Sequence, residues 1–392
     1  MLLSPGRIFR PLTQVPVASL VLAAGLVISV IAWRFTESKV EYEAQAKFGA
    51  IVADARGTLH AQLKSYYDVM HGLQGLFLVT PQVTRDIFAR YIANLGLTHR
   101  SAGLRALSYS QYVPVAARDE FVRRVRGDAS RGFGRFAKFA VRPPGERLEY
   151  VVLVYTEPLE GNEAGLGLDL IAEPARSAPI FRARDSGSLS ASGRVALVSV
   201  PLKDVWGVSL RLAVYRPGMP IDTQEQRRAA FMGVISSVFL VREFVNDIVW
   251  QDPTKPVQLR VIDAGDRDAP AKTEAADALL FDSAPQREPV ASFTEQVSLE
   301  VGERLWQLQF AAPKHYFLST GDRFMSWFVL AGGIIASLLS FGLVRALATS
   351  GQYAEARRVA QELIEALPVP VFFKGTAGRY LGVNKAWENF FG

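Results

Sequence analysis

Two uninterrupted apolar stretches bracket the chain. Val15–Trp33 reads VPVASLVLAAGLVISVIAW and Phe324–Val344 reads FMSWFVLAGGIIASLLSFGLV, and neither contains a charged residue. A helix needs about 20 apolar residues to cross a hydrocarbon core of ~30 Å. The pattern therefore predicts transmembrane helices over 15–34 and 324–344. The first stretch exceeds the apolar core of a cleaved leader. No small-x-small site closes it; Trp33, Arg34 and Phe35 stand there instead, so it reads as a retained anchor.

Between the anchors the period changes twice. From Phe48 to Phe77 the apolar positions Phe48, Val52, Ala55, Leu59, Leu63, Tyr66, Met70, Leu73 and Phe77 recur every three or four residues. That predicts a helix over 36–78, ~65 Å long at the usual rise per residue. Its near-heptad stripe suits packing on its own domain, a dimer stalk, or both. Thr80-Pro81 ends it, and Thr84 opens a further helix carrying Phe88, Tyr91, Ile92 and Leu95 on one face.

Beyond Leu104 the pattern turns strand-like. Strands are expected over Leu107–Val113, Leu148–Thr156, Val195–Val200, Ser209–Tyr215, Gln258–Asp263, Ala278–Phe281, Thr294–Leu299 and Leu305–Ala311. Helices are expected over Ala116–Arg126, Ala175–Arg184, Glu225–Ser236 and Val241–Trp250. The fold class is α+β: two antiparallel-sheet lobes, a membrane-distal one over 79–220 and a membrane-proximal one over 221–315. The segment 264–291, rich in Asp, Ala and Pro, reads as an exposed excursion. After the second anchor, 345–367 is helical again. Residues 368–384 then read as strand, glycine-containing turn and strand, followed by a short helix over Lys385–Phe391.

Charge sets orientation. Arg7 and Arg10 precede the first anchor without an acid, and Arg345, Arg357 and Arg358 follow the second. Lys and Arg near membrane ends are retained inside, so 1–14 and the segment after 344 read as cytoplasmic and 35–323 as external. The net charge of +6 is spread out rather than gathered into a basic stripe, which argues against nucleic-acid binding. The chain has no cysteine, which removes disulfides, thiolate catalysis and cysteine metal sites. His60, His71, His99 and His315 lie far apart without ligand spacing, so no metal site is expected. Gly165-Leu-Gly167 lacks the third glycine and helix start of a phosphate loop. Asp266-Arg267-Asp268 reads as a solvated turn. No catalytic residues and no cofactor are predicted.

Several separated blocks carry a resemblance. Glu157-Pro158-Leu159-Glu160-Gly161-Asn162 is followed by Gly167-Leu168-Asp169. Ala183-Arg184-Asp185-Ser186-Gly187 and Ser192-Gly193-Arg194-Val195-Ala196-Leu197 come next, at sensible spacings. Together with the long lead helix and its flanking anchors, they resemble the CHASE family of extracellular sensory domains over about 36–315. The resemblance implies a two-lobed receptor whose distal, PAS-like lobe binds a small molecule. In plant relatives an aspartate aligned with Asp169 holds an adenine ring, and a backbone contact falls near Ala191. Asp169 and Ala191 are thus the candidate ligand-binding residues, beside a reading of Asp169 as a helix cap. Where the plant receptors have Leu-Thr-x-Pro, this chain has Ala191-Ser192-Gly193-Arg194, a departure that bears on ligand identity.

The run ALPVPVFFKGTAGRYLGVNKAWENFFG, ending at Gly392, resembles the opening third of a PAS domain, so 368–392 reads as a truncated PAS start. The resemblance places a histidine kinase or a cyclic-di-GMP enzyme downstream, as in a two-component or related pathway. The resulting expectation is an inner-membrane, homodimeric signal receptor. It senses a small ligand, adenine-like if the plant relatives are a guide, through a periplasmic domain and relays it to a cytoplasmic PAS module. The alternatives are an anchored interaction or scaffold protein without a small ligand and, on weaker grounds, a membrane enzyme.

Overall fold

The first apolar stretch and the stripe behind it form one helix, α1 (Gln14–Val79), of 66 residues. In the computed structural model, which describes residues 14–96, 103–130, 136–195, 206–249, 257–270, 278–284 and 292–391, two compact units are distinguished. One is built from residues 44–317 and the other from the chain on either side of it.

In the larger unit all nine stripe residues of α1 are buried, none more than 8% exposed. Phe48 stacks on Phe293 at 5.9 Å between ring centres, Tyr66 tilts against Phe239 at 5.6 Å and Phe77 against Tyr109 at 4.4 Å. The stripe is thus spent on the chain's own strands. This corrects its reading as a dimer seam: a homodimer would have to use other faces.

The distal lobe follows. Thr84 caps α2 (Arg85–Leu95) by accepting the Ile87 N–H at 3.3 Å, and left-handed Gly96 ends it. Then come β1 (Leu104–Pro114), α3 (Arg118–Arg126), β2 (Glu149–Glu157), α4 (Pro174–Ser186), β3 (Ser190–Ala191), β4 (Gly207–Tyr215), α5 (Gln224–Ala230), β5 (Phe231–Leu240) and α6 (Val241–Val249). The strands form one antiparallel sheet in the order β2-β1-β5-β4-β3.

Here the sequence reading needs correction. The helix expected over Glu225–Ser236 stops at Ala230, and Phe231–Ser236 begin β5, a central strand of the distal sheet. The apolar and β-branched run of β5 is satisfied by pairing on both sides. Gly233, at φ +155°, permits that close approach, since a Cβ there would run into the Ser110 carbonyl. The distal lobe consequently extends through β5, past the expected boundary at 220. The strand expected over Val195–Val200 lies outside the described residues beyond Val195.

The proximal lobe comprises β6 (Gln258–Asp266), β7 (Ala269–Pro270), β8 (Leu279–Asp282), β9 (Phe293–Val301) and β10 (Arg304–Ala312). They pair in the order β7-β6-β10-β9, with β8 also on β6. Part of the expected excursion is therefore sheet, and its Leu280 and Phe281 are buried.

The second unit contains the apolar part of α1 and α7 (Thr320–Glu365). Helix α7 is opened by a capping box in which Ser319 and Asp322 exchange hydrogen bonds at 3.1 and 2.9 Å. Both helices are long and apolar enough to cross a membrane, and their apolar side chains face outward, Ile28 at 65% exposure and Phe328 at 72%. Where they touch, small residues meet: Gly25 abuts Ser337 and Ser29 abuts Gly333. Close helix approach in lipid favours such pairs. Trp33 and Trp327 pack at 5.7 Å. After α7, β11 (Phe372–Lys374) and β12 (Tyr380–Val383) form the expected hairpin, and α8 (Lys385–Phe391) follows. Asn384 is fully buried and pins these pieces. Its amide donates to the carbonyls of Ile364 and Val369 at 3.1 and 2.9 Å, and its Oδ1 accepts the Val371 N–H at 2.8 Å.

Candidate functional site

The two faces of the distal sheet differ. One packs on α1 through residues such as Tyr109 and Phe239. On the other, strand register lines up Ser190, Arg211, Ser236, Ser108 and Thr156 in a single row across all five strands. Every member of that row is buried, Arg211 being the most exposed at 6%. Buried polar side chains cost stability unless they find partners, so a row of five invites a functional explanation.

Part of the row floors a recess of about 100 Å³ that opens to solvent. Arg105 and Ser108 of β1, Thr156 of β2 and Ser209 and Arg211 of β4 supply polar groups. Leu153, Leu168, Leu170 and Val238 supply apolar wall. The segment Asn162–Leu170 and Arg176 of α4 close over it. Gly167 shapes that segment at φ +81°, where a Cβ would strike the Ala140 carbonyl. Polar capacity is left over: Ser209 Oγ, beside the row Ser190 Oγ, and Arg211 Nε have no hydrogen-bond partner. Arg211 Nη1 donates to Ser236 Oγ. Among the described residues, no acid lines the recess. Burial, with the charge of Arg176 adding to it, lowers the Arg211 guanidinium to about 9, so it is still charged at neutral pH.

The two sequence-predicted site residues sit beside this recess and do not line it. Asp169 is 1% exposed. Its Oδ1 accepts the N–H groups of Val151 at 3.1 Å and Ile171 at 3.3 Å, which caps the turn Leu170–Ala172, and Arg147 lies 3.5 Å from Oδ2. Burial raises its carboxyl pKa, partly offset by those two amides and Arg147. The cap reading thus describes its contacts, and it fixes two wall residues, Leu168 and Leu170, on either side. Ala191 spends its backbone between the lobes. Its N–H donates to the Gly302 carbonyl at 2.7 Å, and its carbonyl accepts from Arg182 at 3.3 Å. Around it, Arg182 pairs with Asp266, Arg304 grips Asp263 at 2.8 Å, and the Gly302 N–H donates to Tyr67 of α1 at 2.8 Å. One end of the polar row is therefore one residue away from the joint with the proximal lobe. In the resembling block, Asp185 binds Arg228 through both carboxylate oxygens, at 2.5 and 3.0 Å, tying α4 to α5.

Sequence reasoning missed Arg211 and the serines. In GVSLRLAVY the alternation of Ser209 and Arg211 with Leu210 and Leu212 mimics a strand with one wet face, yet all nine residues are buried.

The distal sheet thus carries a loop-closed recess on one face and is joined to the second sheet lobe along α1. Residues 81–280, just over half of the chain, match the CHASE domain, and the chain belongs to that family. Among solved structures it is similar to the ligand-binding domain of an amino-acid chemoreceptor of Pseudomonas aeruginosa in complex with GABA. That match has 9% identity and a TM-score of 0.38, over 68% of this chain and 99% of the other. It is also similar to the periplasmic sensory domain of a Campylobacter jejuni chemoreceptor, at 12% identity and a TM-score of 0.39, over 74% and 99%. No curated protein matches the chain.

Proposed function

We propose that this chain is a membrane-spanning receptor. Its distal lobe binds a small molecule in the recess on the sheet, outside the cell membrane, and α7 passes the signal to the PAS-like start beyond it. The carrying observation is the recess itself: loop-closed, lined by buried polar atoms without partners, and placed in a CHASE domain. The uninterrupted run of α7 from Thr320 to Glu365 supports a mechanical relay, and a ligand drives it by favouring one of two arrangements of the lobes. In this reading Asp169 positions the recess wall and Ala191 stands at the joint through which occupancy is felt. The chain senses and transmits and performs no catalysis itself.

Because the chain has no cysteine, single cysteines report topology cleanly. Ser188→Cys should react with a membrane-impermeant maleimide in intact spheroplasts, and Tyr353→Cys only after lysis. Equal labelling of both, or the reverse order, would overturn the arrangement.

A further inference from the structure

The three guanidiniums of the recess are not equivalent. Arg176 is paired with Glu173 at 2.8 Å and Arg105 with Glu243. Arg211 has no carboxylate partner among the described residues; its only hydrogen bond there runs from Nη1 to Ser236. Among the described residues Nε has no acceptor and Nη2 makes no hydrogen bond, so the Nε–Nη2 edge is free of protein partners there. Among the described residues Arg211 is thus a buried cation without a counter-charge, which destabilises a fold unless something answers it.

We propose that the recess takes a small monocarboxylate. Its carboxylate lies along the Nε–Nη2 edge of Arg211, and its apolar body packs on Leu153, Leu168, Leu170 and Val238. The planar guanidinium edge matches a carboxylate with two parallel hydrogen bonds. A single charge suffices because Arg176 and Arg105 already have partners. The unpartnered Ser209 hydroxyl can serve a second polar group of the ligand. An uncharged adenine-type base would leave Arg211 unanswered, and Asp169, whose Oδ1 accepts two backbone amides while its Oδ2 makes no hydrogen bond, does not line the recess. The inference rests on reading the recess as the receptor site.

The test uses the full chain in lipid nanodiscs and follows its melting temperature with acetate, propionate, lactate and pyruvate, each beside its amide. At least one carboxylate should raise the melting temperature by roughly 5 °C at saturation, its amide should not, and Arg211→Gln should abolish the rise. Arg211→Lys keeps the charge but not the flat edge and should retain a smaller rise, which leaves the test usable if Arg211→Gln fails to fold. Leu153→Trp, which fills the recess without altering its charge, should abolish the rise. If amides bind as well as carboxylates and Leu153→Trp blocks both, the receptor recess stands and the carboxylate inference falls. If the rise survives Leu153→Trp, the recess is not the site and both readings fall. A wild-type protein indifferent to all four carboxylates overturns the inference.

Discussion

The two sheets of the large unit pack against the same helix and are built on opposite plans. In the proximal sheet β10 alternates strictly: Trp306, Leu308 and Phe310 are buried at 0–1%, while Gln307 and Gln309 look outward. One face holds the core and the other meets water, the usual economy of an antiparallel sheet. In the distal sheet β4 is buried along its whole length. Its α1 side is apolar, and its other side carries Ser209 and Arg211 into the recess. The proximal plan spends its buried face on apolar packing, though Trp306 Nε1 finds no partner there. The distal plan buries a guanidinium and several hydroxyls without full partners on one face, which packing alone does not explain. Departures of that kind are expected where a protein gives up stability for function.

Substitutions that attack packing should hurt the proximal sheet most. Trp306→Ala, which empties a fully buried site against Phe239 and Phe244, should cost about 3–5 kcal/mol in chemical denaturation. In the distal sheet the comparable loss comes from backbone geometry. Gly233→Ala forces a Cβ toward the Ser110 carbonyl and should cost roughly 2–3 kcal/mol by the same measurement.

Asp185→Asn should cost less, about 1 kcal/mol after solvent screening. The carboxyl of Asp185 is held below its ordinary range, first by its hydrogen bond to Arg228. A depressed acid stabilises above its unfolded-state pKa and loses that contribution as pH falls. The gap between wild type and Asp185→Asn should therefore close on acidification below about pH 4, and a gap that widens would contradict the pairing. The smallest effect concerns ligand affinity. Burial lowers the Arg211 guanidinium from its ordinary value, but a guanidinium keeps its charge through the ordinary pH range, so carboxylate binding should be level between about pH 6 and about pH 9. Calorimetric titration across that range would check it.

The same contrast explains what the sequence revealed. The lead helix, both long apolar helices, α2 and the hairpin before Asn384 were legible because their periods are long or their caps explicit. The proximal strands were legible because one wet face leaves a clean alternation. The pattern failed at Phe231–Ser236, where strand pairing on both sides outweighed a helical start signalled by Thr223 and the polar run behind it. Asp169 was singled out by its motif with a helix-cap reading beside it, and the structure shows the cap contacts. Arg211 and its serines looked like a solvent face, because burial of a second sheet face depends on segments such as Asn162–Leu170 that come from elsewhere in the chain.

The central claim is that the polar row of the distal sheet is a binding site and not part of the core. The ligand-free stability of Arg211→Met tests it most directly. Removing a buried charge without a counter-ion should raise the melting temperature of the full chain by about 2–4 °C, in contrast to Trp306→Ala. A melting temperature that falls as it does for Trp306→Ala would show Arg211 to be a structural residue and would contradict the account.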